Sequence, residues 1–367
     1  MKKKFENWIH DTWIISPGGA GLLRIVTALY ILFFLIPGNG LDHYKYLSEL
    51  PDQFFMPPPG PMALFQGFPP LLFFQTLLTL LVISLILLTI GYRTKMVSIL
   101  SGILILLLQG FIYSVGKVNH EILTGIFPIL MAFTNWGAAY SVDSCRQNST
   151  DQTAESWPLT LLALLIGFMM FTAGVPKILG GWLDPSTQAV QGHLFNQYFL
   201  RGRDALLATR LVHLDQPLFW EFLDWATILF EIGFLAAVWK RSWFRVFLIF
   251  AVFFHYSTML ILNIPFIQNL MLYAAFLNWD LLDRVVSERI GALKFVPGES
   301  ASHWVPVLII AITAGSFVLI RYLPAGNSFF YNSDLNLQEV ILVHGAMVIV
   351  LMILAVKIGR IPSRNRR

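Results

Sequence analysis

Long apolar runs, broken by short polar or basic stretches, set the pattern of this chain. Runs near 20 residues recur at roughly 18–37, 70–91, 96–115, 120–136, 158–175, 217–239, 244–263, 265–280, 303–323 and 338–358. At about 1.5 Å of rise per residue, about 20 residues cross the roughly 30 Å of a bilayer's hydrocarbon. The period-2 alternation of barrel strands is absent, so the spans are predicted to be helices. The expected fold is an all-α integral membrane protein, a polytopic bundle of about nine to ten transmembrane helices, with the fourth and eighth spans short.

Charge supplies the topology. Most of the 25 Lys and Arg residues fall in alternate connections, at Lys2 to Lys4, Arg93 and Lys95, Arg146, Lys240 to Arg245, Arg284 to Lys294, and Lys357 onward. The positive-inside rule then predicts both termini on the cytoplasmic side. The basic surplus is therefore topogenic, and no nucleic-acid partner is expected. Met1-Lys2-Lys3-Lys4 resembles the start of a signal peptide, but polar residues continue through Asp11 and Thr12, so an uncleaved anchor is expected. A 56% hydrophobic and 13% charged composition agrees with an integral inner or plasma membrane protein.

Three regions follow: a cytoplasmic amphipathic N-terminus (1–17), a membrane domain (18–285), and a C-terminal two-helix extension with a basic tail (286–367). Two connections on the predicted outer side are too long for turns. Residues 38–69 carry MPPPGPM and GFPP, whose prolines favour extended or turn backbone. Residues 176–216 contain LFNQYFLRGRDALLATRLVHL, the mixture of an interfacial amphipathic helix. Such segments either roof an outward cavity or lie on headgroups. SVDSCRQNSTDQTAES, 141–156, reads as an inner linker.

The single cysteine, Cys145, excludes an internal disulfide and a thiolate zinc site. No HExxH and no nucleotide-binding glycine loop is present, so no metal is expected. Chemistry is left to ionisable groups at membrane depth, which are costly there and mark function or buried pairing. Lys177, in FTAGVPKILGGW, ends an 18-residue uncharged run and is either a snorkelling lysine or a base held in a Gly-Val-Pro-Lys corner. His120 follows Asn119 at the start of the fourth span. His255, followed by Tyr256, lies roughly 12 Å below Asn263, as a ligand-facing group or a neutral imidazole bonded to a neighbouring helix. In span six, Glu221, Asp224 and Glu231 share a face. Glu231 and Arg24 match in depth and oppose in sign, which makes them a candidate structural buried pair. His120, Lys177 and His255 all fall in the outer half of the membrane. Desolvation favours the neutral amine of a lysine, and two histidines could stabilise developing negative charge.

Three segments carry a resemblance to a known family: KVNHEILTGIFPILMAFTNWGAAYSVD (117–143), FMMFTAGVPKILGGW (168–182) and FEIGFLAAVWKRSWFRVFLIFAVFFHYSTML (230–260). Over roughly residues 15–285 the chain resembles the horizontally transferred transmembrane (HTTM) domain group, which includes vitamin K-dependent gamma-glutamyl carboxylase. The first segment is similar to the family's Asn-His motif and terminal Ser-Val-Asp. The second is similar to its Ala-Gly-Val-Lys-Lys corner, with Pro176 in place of the first lysine.

The resemblance implies a vitamin K- or quinol-dependent, carboxylase-like lyase with an outward-facing site. Lys177 would be the base that starts oxygenation of a quinol (vitamin K hydroquinone or a menaquinol-like molecule). His120 would assist carboxylation, with His255 as a third catalytic residue, and Asn119, Trp182 and Tyr256 beside the quinol. The family enzyme also has a large extramembrane domain, where this chain is expected to hold two further spans. A second expectation is a non-catalytic membrane protein that binds a lipid, a quinone or a secreted peptide or protein, as a maturation or export factor.

Overall fold

A computed structural model describes residues 2–36, 41–116, 120–146, 153–292 and 337–359. The described residues are helical with no strand, apart from an isolated bridge between Met56 and Val115. Five helices are long and apolar enough to cross a bilayer: Pro17–Leu35, Leu71–Ile90, Thr94–Tyr113, Trp157–Leu179 and Arg241–Leu262. The chain is a multi-pass, all-helical membrane protein. The expected span 303–323 and the basic tail from residue 360 lie outside the described residues.

Two expected spans are corrected. The fourth is a 3-10 turn, His120–Ile122, leading into a nine-residue helix, Leu123–Met131, with Pro128 inside it. The eighth is an eight-residue helix, Ile267–Ala274, separated from the next helix at Trp279. At about 1.5 Å per residue neither crosses a bilayer as a straight helix. Apolar length alone did not reveal that Pro128 and the turns after Met131 interrupt the run.

The described residues form two compact units. One is drawn from Met1–Leu165 and Met271–Leu323, the other from Ile166–Leu270 and Pro324–Arg367.

In the first unit, α1 (Lys2–Asp11) precedes α2 (Pro17–Tyr30), which Ser16 caps by accepting the Gly19 amide at 2.9 Å. α2 runs on as a π-helical turn, Ile31–Leu35. α3 (Leu41–Glu49) and the proline-rich segment after it lead to α4 (Leu71–Ile90) and α5 (Thr94–Tyr113), which pack together and against α2 and α6 (Leu123–Met131). α5 and α6 meet through glycine: a Cβ at Gly102 would stand 2.5 Å from the Gly125 carbonyl oxygen. The proline-rich segment folds over the end of α5, where the Met56 amide donates to the Ser114 carbonyl at 2.6 Å. The bridge and this bond fasten the segment to the end of α5.

The same unit explains Arg24 and the Ser-Val-Asp motif. Arg24 is fully buried and donates to the carbonyls of Trp136 (3.0 Å), Ala139 (3.4 Å) and Tyr140, the turns that follow α6. Asp143 opens α7 (Val142–Arg146), and its carboxylate accepts from the amides of Arg93 (2.9 Å) and Thr94 (2.7 Å). It thereby caps α5, whose first amides have no helical partner. Gly91 joins these elements with φ +71, and a Cβ there would meet an Arg24 nitrogen at 2.7 Å. Outside the spans, burial first and the Asp283 hydrogen bond second hold the Tyr140 phenol above its ordinary pKa.

In the second unit, α8 (Trp157–Leu179), which begins in the first, leads to α9 (Ala189–Phe195) and a π-helical turn, Asn196–Leu200. Then come α10 (Ala208–Leu211), α11 (Pro217–Ala237) and α12 (Arg241–Leu262). α13 (Ile267–Ala274) bridges back to the first unit, which α14 (Trp279–Ala292) closes against α2. α15 (Leu337–Gly359) packs on α12. In place of one interfacial amphipathic helix, residues 189–212 form α9, the turn and α10 around a small core of Leu194, Ala208, Val212 and Trp220. Asp224 fixes this piece by accepting from the Ala189 and Val190 amides, each at 2.8 Å. Asn263, the left-handed cap of α12, clasps Ala205 from both sides, accepting its amide at 2.9 Å and donating to its carbonyl at 3.0 Å.

Candidate functional site

The FTAGVPK run is helix, not corner. α8 continues through Pro176 to Leu179, although the proline lacks the donor that would reach the Thr172 carbonyl and its ring crowds that carbonyl. The turn comes later: the Gly180 amide bonds the Pro176 carbonyl at 2.8 Å, Gly181 has φ +81, and the Trp182 amide reaches back to the Lys177 carbonyl at 3.1 Å. Lys177 therefore projects from the last turn of a membrane helix, and Trp182 is folded back beside it.

Small residues decide what Lys177 meets. Gly167 and Gly174, seven apart, lie on one face of α8. A Cβ at Gly167 would stand 3.2 Å from the Leu235 backbone, and one at Gly174 would stand 3.0 to 3.1 Å from Ile232 and Glu231 side-chain atoms. That closeness to α11 puts Lys177, one turn beyond Gly174, on Glu231. Lys177 Nζ donates to both carboxylate oxygens, with side-chain exposures of 23% for Lys177 and 4% for Glu231. The Trp182 ring covers the ammonium, its centroid 5.2 Å from Nζ, and His193 from α9 lies against that ring at 5.4 Å. A cation at an aromatic face gains from the ring's electrostatics, more so when desolvated.

The expected Arg24–Glu231 pair is thus replaced. Glu231 holds Lys177, and Arg24 holds three carbonyls of the first unit. Matched depth along two helices says nothing about which faces they turn to each other. The acidic face of α11 divides by role: Glu221 accepts from Trp225 at 2.8 Å, Asp224 caps α9, and Glu231 takes the lysine.

His255 is 3% exposed on α12, its Nε2 facing Asn269 Nδ2 at 3.3 Å and its ring 4.6 Å from Phe266. This is the bonded imidazole that the sequence left open as one alternative. Tyr256 turns its ring to His344 on α15, at 5.2 Å. Of the named residues, Lys177 and Trp182 come together, whereas His255 and Tyr256 engage other partners. Asn119 lies outside the described residues. His120 opens the 3-10 turn in the first unit, with its side chain likewise outside the description. Sequence reasoning missed Glu231 as the lysine's partner and His193 as the residue behind Trp182. The Gly167/Gly174 spacing was the available signal for the first; nothing local pointed to the second.

Among the described residues, no three His, Cys, Asp or Glu side chains are grouped to hold a metal ion. The arrangement offers instead a buried acid and amine in contact, roofed by an indole. No curated protein and no solved structure matches the chain. The family model described as HTTM domain matches residues 17–280, spanning both units through the Lys177 helix and its Glu231 partner, and the chain belongs to that family.

Proposed function

We propose that this HTTM-domain membrane protein is a quinol-dependent, carboxylase-like enzyme in which Lys177 and Glu231 act together as the acid–base unit. The observation that supports it is the Lys177–Glu231 contact beneath Trp182. An amine and a carboxyl in direct contact can exchange a proton with little reorganisation, and a proton relay of that kind is what deprotonating a quinol hydroxyl requires. Lys177 takes the hydroxyl proton, and Glu231, the more deeply buried partner, receives the proton the ammonium must first release. The indole of Trp182 offers an aromatic ring a face beside the amine. The quinol, when bound with oxygen, supplies the oxidative chemistry that makes a strong base. The proposed site faces the extracytoplasmic side. The substrate is a glutamyl side chain of a secreted peptide or protein.

One observation favours a second reading, a non-catalytic protein that binds a lipid, quinone or peptide. The Lys177 amine is already engaged, and a closed ion pair serves equally as a clamp between α8 and α11. The readings separate when purified protein is given vitamin K hydroquinone or a menaquinol under oxygen. Formation of the quinone epoxide supports the enzyme, and its absence from well-folded protein leaves the binding protein.

A further inference from the structure

The backbone at Trp182 is held firmly, but its indole is not held by the same bonds. The Trp182 amide bonds the Lys177 carbonyl at 3.1 Å, and the turn that follows closes on itself. Thr187 donates its hydroxyl to the Gly181 carbonyl at 2.7 Å, and the Asp184 carboxylate accepts from the Ser186 amide at 2.9 Å and hydroxyl at 2.8 Å. None of these bonds involves the indole, so they leave it free to move between rotamers. The ring is half-buried, and core packing therefore does not fix it either.

Lys177 and His193 meet the ring. The Lys177 ammonium stands 5.2 Å from the indole centroid, but it is already committed to Glu231. The His193 ring centroid lies 5.4 Å from that of Trp182, with the two planes inclined at 48°. Aromatic pairs at this separation gain energy beyond the area they bury, and the gain depends on how the rings are inclined. The imidazole thus gives the indole one preferred setting where the backbone gives it none.

His193 can set the indole because its own helix is seated. It lies in the last turn of α9, and the next residue, Leu194, is fully buried in the small core with Ala208, Val212 and Trp220. The imidazole itself is exposed. A ring with polar nitrogens suits that place: it offers the indole an aromatic partner and keeps its polar edge solvated. An Asn would keep the polarity and lose the ring, whereas a Phe would keep the ring and lose the polarity.

We propose that His193 is a positioning residue for the Lys177 site: its ring holds the Trp182 indole against the amine, and the indole so held is the face on which the quinol ring stacks. The second half rests on the quinol-dependent reading above; the first half does not.

The test of the first half reads Trp182 without turnover. The full chain, purified in detergent, is labelled with 5-fluorotryptophan, and among its 11 tryptophans the Trp182 resonance is the fluorine signal missing from Trp182→Phe. The change in that signal between light and heavy water reports exposure of the ring. It is small in the parent, rises toward the value of free fluorotryptophan in His193→Ala and His193→Asn, and returns to the parent value in His193→Phe, while the other fluorine signals stay in place. An exposure unchanged in both His193→Ala and His193→Asn, or raised as far in His193→Phe, overturns the positioning role. For the second half, the epoxide assay with a menaquinol should show KM raised roughly three- to tenfold in His193→Ala with kcat near the parent's, and restored in His193→Phe. A fall in kcat at unchanged KM overturns it. Should the wild type form no epoxide, the enzyme reading falls by itself, and titration with menaquinone, which needs no turnover, decides the stacking face. A saturable change in the Trp182 resonance that weakens in His193→Ala supports it, and no change overturns it.

Discussion

Burial of charge is what Lys177 and Glu231 have in common, and it makes each depend on the other. Removing one partner of a buried pair strands the other, at about 3–5 kcal/mol when both are fully desolvated. Lys177 keeps 23% of its side chain exposed, so we expect about 2–3 kcal/mol from Lys177→Met or from Glu231→Leu alone. The double change regains part of that loss, because it leaves no orphaned charge. Thermal or denaturant unfolding in detergent measures the cycle, and strictly additive losses would show that the two side chains are not coupled. At this scale the sequence was legible in part. Lys177, Glu231, Arg24 and His255 stood out because ionisable groups at membrane depth are rare. Their partners did not, because depth along a helix can be counted while its rotation cannot. Arg24 shows the limit: carbonyls of Trp136, Ala139 and Tyr140 satisfy it, and backbone carries no residue-type signal.

Between elements, short polar contacts hold what apolar packing leaves loose. The segment 189–212 is tied down by Asp224 on one side and Asn263 on the other. Asp224→Ala removes the acceptor of two helix-opening amides, a loss of about 1–2 kcal/mol. Limited proteolysis should then cut within 189–212 several-fold faster than in the parent protein, whereas an unchanged rate would mean that the apolar core around Trp220 suffices. Gly174 tests the approach of α8 to α11. A leucine there must displace Ile232 and Glu231, so Gly174→Leu should destabilise by several kcal/mol, while Gly192→Ala, in open space, serves as a neutral control. Long helices were readable from apolar length, as at Leu71–Ile90 and Thr94–Tyr113. The short pieces were not, since Leu123–Met131 and Ile267–Ala274 continue apolar runs whose ends are set by proline, turns and tertiary contacts.

For the whole molecule, topology decides whether the site can meet an extracytoplasmic substrate. The positive-inside rule leads one to expect Cys145 on the inner side and Ser186, in the exposed turn after Trp182, on the outer side. In intact cells a membrane-impermeant maleimide should label Ser186→Cys in a Cys145→Ser background and leave the parent Cys145 unlabelled until the membrane is opened. The reverse pattern would invert the topology and turn the Lys177 site toward the cytoplasm. The match to the HTTM-domain family covers residues 17–280, which include the Asn-His and Ala-Gly-Val-x-Lys segments. The structure adds that the Ser-Val-Asp end of the first segment caps α5 and is a fastener rather than chemistry.

The central claim, that Lys177 is a base acting on a quinol, is tested most directly by epoxide formed from vitamin K hydroquinone or a menaquinol under oxygen. Wild type, Lys177→Met and Asp224→Ala would be compared after equal recovery of folded protein. We predict epoxide from the wild type and from Asp224→Ala, and a loss of at least a hundredfold in Lys177→Met. Epoxide formation undiminished in Lys177→Met would contradict the account and leave the Lys177–Glu231 pair as a clamp between two helices.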